Sequence, residues 1–336
     1  MTSAYQDTHD FSEIKKALLN RDEPFPATLL YYFSDISQCD LQKVAEVWPE
    51  VWTERRRGLL EDMETMAEKD TLLFFDHMAV MCLTDEDPIA RATAIRLLWQ
   101  SEDESLVPPL IRMLKEDPEV IVRASAATAL GIFVYQGELE EIKESTYDRV
   151  LKELIQVHTG SDDQLVRRRA LESLGFATHR DVPGFIEQAY NTDNEEWLQS
   201  ALFAMGRTFN QRWLDWVLEM FDHPDSAVRY EAVRAAGELE AKAALEPIFD
   251  LLEEGTDDQD LYFAAIWSLS KIGGKGVREL IESNLEETDD PQEIQFLEEA
   301  LENLDFTENV NNFDLLVIDD EEADAWLFDS DEDFDD

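Results

Sequence analysis

The chain has 336 residues, with 77 Asp+Glu against 28 Lys+Arg and a formal net charge of -49. That charge excludes sequence-independent binding of DNA or RNA, which needs a basic footprint, and argues against docking on anionic lipid. Hydrophobic residues make up 44%, enough for a large core, so the chain as a whole is not disordered.

In chain order, Met1–Asp10 is polar and lacks the apolar stretch of a signal peptide. No run of about 18 apolar residues is seen that predicts a membrane span. Residues 11–80 read as degenerate helices. Pro26–Ile36 gives one apolar helix, and Asp40–Val51 gives a second with Leu41, Val44, Val47 and Trp48 on one face. Thr53–Ala67 and Thr71–Leu83 give two more. Residues 1–80 are therefore expected to be atypical terminal repeats that cap an open stack. Cys39 and Cys82 both fall in helical patterns and read as small buried hydrophobes of a reducing cytoplasm. Neither has the paired ligand spacing of a metal site.

Residues 81–304 carry an internal repeat. The clearest copy runs from Asp117 through Val122, Arg123, Ala126 and Leu130 to Gly131. Related copies hold Arg91, Ala94 and Leu98; Val166, Arg167, Ala170, Leu174 and Gly175; Trp197, Leu198, Ala201, Met205 and Gly206; and Val228, Arg229, Ala232, Ala236 and Gly237. Weaker copies are Leu261–Ser270 and Ile294–Leu304. The spacings are about 31 to 33 residues with one of about 44, the range of stacked helical hairpins. The acidic residue before each run suits a helix N-cap. Val122, Ala126, Ala129 and Leu130 share one helix face. The glycines suit helix ends, where positive φ is expected. A second apolar helix precedes each run, as in Pro108–Leu114 and Pro247–Leu252, and such a pair buries its apolar face only by stacking on the next. The longer spacing predicts an insertion near Tyr135–Tyr147, with Gln136-Gly137-Glu138-Leu139 as a variable binding loop.

This pattern resembles the HEAT-repeat family, in particular the bacterial branch whose repeats look like those of phycobilin lyases. The Pro-x-Leu-Ile helix, the Asp, the Val-Arg pair, the Ala and the Leu-Gly carry the resemblance over about residues 80–304. It implies an all-α, right-handed superhelix of the HEAT/armadillo type. It also implies a ladder of Arg–acid contacts between repeats at Arg91, Arg123, Arg167 and Arg229, interrupted at Leu198 and Tyr262.

No constellation points to chemistry. None of His9, His77, His158, His179 and His223 is followed by Glu, so the repeated His-Glu pairs by which the related enzyme deoxyhypusine hydroxylase holds two irons are missing from the sequence. No nucleophile elbow or phosphate loop occurs, and Gly273-Gly274-Lys275-Gly276 reads as a turn between helices. No catalytic residue, metal or cofactor is predicted. The triplets Arg55-Arg56-Arg57 and Arg167-Arg168-Arg169 read as an anion-binding patch, as internal partners of the surplus carboxylates, or as a dock for the C-terminus.

If Val122, Ala126 and Leu130 point inward, the opposite face forms two rows. One runs through Ala92, Ala124, Arg168, Gln199, Tyr230 and Phe263, the other through Arg96, Thr128, Glu172, Phe203, Arg234 and Trp267. Arg168, Gln199, Phe203, Tyr230, Arg234, Phe263 and Trp267 are thus the expected partner-binding residues on a concave face, with core packing as the other reading.

From Glu279 onward the sequence holds 24 Asp+Glu and no Lys or Arg. Residues 305–336 hold 14 of these acids and are expected to form a disordered acidic tail. Its apolar clusters Leu315-Leu316-Val317-Ile318 and Trp326-Leu327-Phe328 look like partner motifs, or like segments that dock on the last repeat. The expected function is a cytoplasmic, non-enzymatic adaptor that binds a protein with a basic surface and no nucleic acid or membrane. A lyase-like or other HEAT-type enzyme subunit and an acidic DNA mimic are the alternatives.

Overall fold

The computed structural model describes residues 10–255 and 258–314. Every regular element among them is helical. The chain divides into two compact units between Ala204 and Met205.

The repeat logic sets the helix starts. Asp87, Asp163, Asp225 and Asp258 each cap a helix, accepting from the backbone N–H of Ala90, Leu165, Val228 and Leu261 at 2.9–3.2 Å. In the first unit the second helices of successive pairs pack on one another in the order α1 (Thr53–Lys69), α2 (Pro88–Leu97), α3 (Val120–Glu138) and α4 (Gln164–Leu174). Their pair partners lie against them, such as Asp76–Cys82 on α2 and Val107–Glu116 on α3. A further second helix, α5 (Glu195–Arg207), spans the boundary between the units. In the second unit α6 (Ser226–Glu238), α7 (Gln259–Ile272) and α8 (Pro291–Asp314) repeat the arrangement. This is a helix-stacked solenoid.

The glycines depart from expectation. Gly131, Gly175, Gly206 and Gly237 are not among the positive-φ residues. They stand where neighbouring second helices nearly touch. A Cβ on Gly131 would lie 2.8 Å from Ser173 Oγ, one on Gly175 2.9 Å from Ala204 Cα, one on Gly206 3.1 Å from Ala235 Cα, and one on Gly237 2.8 Å from Ser268 Cα. Ser173 and Ser268 complete the seam by donating 2.9 Å hydrogen bonds to the Ala127 and Val233 carbonyls. The left-handed residue follows three positions after Gly206 and Gly237, at Phe209 and Glu240.

The insertion is not a loop. It lengthens α3, so that Gln136, Gly137 and Glu138 form its last turn and the chain reverses at Glu140, which has positive φ. Glu138 then accepts from the Tyr147 hydroxyl and from Thr178 N and Oγ1 at 2.9 and 2.8 Å, tying the extra turns down. By length and apolar composition, α3 meets the measure of a membrane-crossing helix, against the sequence expectation. Half of that apolar stretch is buried, and α3 packs on Val107–Glu116, α2 and α4, as a core helix does. Two further expectations shift. Pro26–Ile36 yields a 3₁₀ helix over Ala27–Phe33 that buries Leu29, Leu30, Tyr32 and Phe33. Helix α8 continues to Asp314, beyond the Leu304 at which the acidic segment was expected to leave the stack. Arg278 holds this extension through Asp305 and Glu308 at 2.6 and 2.7 Å. Of the two cysteines, Cys82 is buried and Cys39 exposed.

The Arg–Asp ladder is present at Arg91 and Arg123 and starts one repeat earlier than the sequence indicates, at Arg57, whereas Arg167 and Arg229, also expected as rungs, donate instead to the backbone carbonyls of His158 and of His223 and Pro224. Arg57 donates to Asp87 at 2.9 Å, Arg91 grips Asp117 at 2.8 and 2.9 Å, and Arg123 meets Asp162 at 2.8 Å. The Arg57 guanidinium, then the Ala90 N–H, hold the Asp87 carboxyl below its ordinary range against the opposing effect of burial. A carboxyl with a depressed folded value stabilises fully above its unfolded value, ~3.9. That contribution is lost as pH falls through the folded value. Arg57→Gln is therefore expected to move acid unfolding, followed by circular dichroism, to higher pH; an unchanged acid limb would contradict the rung.

Candidate functional site

The predicted rows are less exposed in the first unit than the sequence suggests. Ala92, Ala124 and Arg168 are buried. Arg168 Nε donates to Ser200 Oγ at 2.9 Å, and its guanidinium pairs with Glu196 at 3.0 Å. Ser200 Oγ donates to Glu172 Oε1 at 2.7 Å, and Arg169 reaches Glu172 Oε2 at 2.6 Å. Arg168 and Glu172, expected on a free face, thus form one buried network joining α4 to α5. Burial lowers the Arg168 pKa, opposed by Glu196 and Glu172. Gln199 and Phe203 are half-buried. The physical reason is the stack itself: positions opposite the hairpin partner still face the second helix of the next repeat, so a half-turn from the core is not yet solvent.

In the second unit the rows keep partial exposure. Tyr230 and Arg234 on α6, and Phe263 and Trp267 on α7, are all half-buried. Arg234 Nε pairs with Glu231 at 3.1 Å. Phe296 on α8 joins them, its ring 4.6 Å from Phe263 and 6.1 Å from Trp267. Sequence reasoning missed Phe296, although its signal was available: it continues the Ala124 row one repeat past Phe263. The result is a run of three rings, part-exposed and held by their mutual packing, next to a tyrosine and an arginine. The tail residues Leu315, Leu316, Val317, Ile318, Trp326, Leu327 and Phe328 lie outside the described residues.

Both arginine triplets are engaged internally. Arg55 donates to the carbonyls of Asn20 and Glu23, Arg56 to Asp85 and Glu86, and Arg57 to Asp87. Arg167 donates to the His158 carbonyl, while Arg168 and Arg169 serve the network above. Beside the lengthened α3, Glu102, Asp103, Glu104 and Glu141 open an acidic cleft of about 700 Å³ that also takes in Lys143 and Gln136. Gln136 is buried, and its side-chain oxygen has no hydrogen-bond partner. Among the described residues, no three His, Cys, Asp or Glu side chains converge to hold a metal ion.

Residues 79–175 and 214–303 match the family described as HEAT repeats, which is more than half of the chain. No curated protein matches the chain. Among solved structures, an X-ray structure of Escherichia coli YibA is similar, at 17% identity and a TM-score of 0.42 over 85% of this chain and 98% of that one. Human deoxyhypusine hydroxylase in complex with glycerol is similar at 13% identity and a TM-score of 0.34, over 80% of this chain and 97% of that one. An engineered protein is similar at 15% identity and a TM-score of 0.36, over 91% and 92%. These likenesses concern fold alone.

Proposed function

This chain belongs to the HEAT-repeat family, and from that premise we propose that it is a cytoplasmic, non-enzymatic adaptor for a protein with a basic surface. The observation that carries this reading is the part-exposed row of Phe263, Trp267 and Phe296 with Tyr230 and Arg234. Aromatic and arginine side chains dominate interface hot spots. Rings already ordered by one another lose little freedom on binding. The net charge of -49 and the cleft at Glu102–Glu104 and Glu141 favour a basic partner and speed its encounter. The acidic C-terminal segment, with its apolar clusters, supplies a second, linked contact.

The test uses a partner captured from the source cell and then purified. Phe263→Ala and Trp267→Ala are each expected to weaken equilibrium binding by about tenfold or more, as hot-spot truncations do. Affinity is expected to fall steeply between low and high salt. Binding that ignores both the aromatic variants and the salt would refute the proposal. The finer kinship, with bacterial phycobilin-lyase-like repeats, rests on the repeat residues alone. It would bring a chromophore-binding role, tested by adding a bilin and following its absorbance.

A further inference from the structure

Gln136 lies in the extra last turn of α3 and lines the acidic cleft, whose other walls come from residues 102–105 and 141–143. Its side chain is fixed from both ends of that turn: the residue is 2% exposed, and its backbone carbonyl accepts from Glu141 N at 2.9 Å. Yet its Oε1 accepts no hydrogen bond. A buried acceptor without a donor is costly, and native side chains are seldom left so. The amide therefore asks for an N–H or O–H donor that the chain itself does not supply.

The charges around it say what kind of donor fits. Glu102, Asp103, Glu104 and Glu141 line the cleft against a single cation, Lys143. The Lys143 side chain is 76% exposed, and its Nζ stands 3.6 Å from Glu104 on the rim. Glu104 also accepts from Thr146 Oγ1 at 2.8 Å, and Asp103 from Ser105 N and Oγ at 2.8 and 2.7 Å. These bonds hold both carboxyls below their ordinary range, so both are charged at neutral pH. Glu102 and Glu141 are exposed, and among the described residues no hydrogen bond or ion pair engages either carboxylate. Four carboxylates less one lysine leave three negative charges beside the orphaned amide oxygen. Among the described residues the acidic side chains do not converge as metal ligands, so the fitting donor is an organic cation.

We propose that this cleft is a binding site for a primary ammonium group on an aliphatic stem, which donates to Gln136 Oε1 and to the carboxylates around it while its stem lies along Ile142. An ammonium has three diverging donors, and these suit acceptors that come from one helix and two loops. A planar guanidinium fork is better met by one bidentate carboxylate. Two sources present this chemistry: a free polyamine, or a lysine side chain of another protein. The site rests on the cleft alone, and only its lysine source rests on the adaptor reading. That reading is tested separately at Phe263 and Trp267, so the two fail independently.

The experiment is an NMR titration of the full chain, following the Gln136 side-chain amide, assigned through its bonds to the Gln136 backbone, and the Ile142 backbone N–H. The probes are putrescine, Nα-acetyl-lysine amide, its neutral Nε-acetylated form, and tetramethylammonium, which has charge but no N–H. At least one of the two amines is expected to give a saturable shift of both resonances, and the neutral form none. Tetramethylammonium is expected to bind more weakly by about tenfold, for want of the charged hydrogen bonds. The tighter of the two amines assigns the source. Gln136→Leu, read at Ile142, and the double variant Glu102→Gln with Glu141→Gln are each expected to weaken the effective amine by about tenfold. The site is refuted by no shift with either amine, by equal binding of tetramethylammonium or of the neutral form, or by full affinity in the double variant. Glu102 and Glu141 are exposed and unpaired, so that variant keeps the fold and decides the matter even if Gln136→Leu does not.

Discussion

Asp85→Ala is expected to destabilise the first unit by about 3–5 kcal/mol, the cost of leaving one member of a buried ion pair alone. The Asp85 side chain is fully buried and the Arg56 side chain is 5% exposed, with 3.1 Å between them. Asp85 also accepts from the Trp48 indole N–H at 2.7 Å and from the Asp87 backbone N–H at 2.8 Å. Its loss orphans three donors at once and leaves Arg56 with Glu86, whose side chain is in solvent. Unfolding in urea, read through the first unit, measures the effect. The double replacement Arg56→Met with Asp85→Leu is expected to recover most of the loss, because a well-packed apolar pair avoids the desolvation cost. A loss below about 1 kcal/mol in Asp85→Ala is what an exposed pair would give, and would mean that water reaches this site.

Gly175→Ala tests the seam between second helices. The added Cβ would meet the Ala204 carbonyl oxygen at 2.8 Å and Ala204 Cα at 2.9 Å. Both are backbone atoms, so relief requires α4 and α5 to separate. Overpacking of this kind costs about 1–3 kcal/mol. Gly58 on α1 and Gly184 on Val182–Tyr190 have nothing within 4 Å of the same built atom. There, Gly→Ala is expected to stabilise by up to about 1 kcal/mol through helix propensity and a more restricted unfolded chain. Opposite signs at Gly175 and Gly58 in thermal unfolding are the expected result. A neutral Gly175→Ala would show that the small residues are not a packed contact.

How much of this was legible can be read from particular residues. The repeat, the aspartate caps and the Arg91 and Arg123 rungs are legible, because each needs a fixed residue type at a fixed offset. The glycines are legible as positions but not as roles: a helix end and a close helix approach both call for a residue without a side chain. The site rows suffer from the same degeneracy. A half-turn from the core is solvent on an isolated hairpin but a helix–helix contact in a stack, which is why Arg168 and Glu172 are buried while Trp267 keeps partial exposure. Arg57 and Phe296 lie in degenerate copies, where the flanking signature has faded but the geometry persists. The insertion reads as a loop because Gly137 suggests a break. Packing on Tyr147, whose ring occupies the space of an added Cβ, keeps the helix continuous through it.

The measurement that tests the account most directly is hydrogen exchange of the full chain, free and bound to its purified partner. A backbone held by the glycine seam and the arginine rungs, with the aromatic row left for a partner, predicts new protection on α6, α7 and α8 around Tyr230, Phe263, Trp267 and Phe296. It predicts no change in the already protected cores of α3 and α4. Protection that avoids these three helices, or binding that loosens the seam around Gly131 and Ser173, would contradict it.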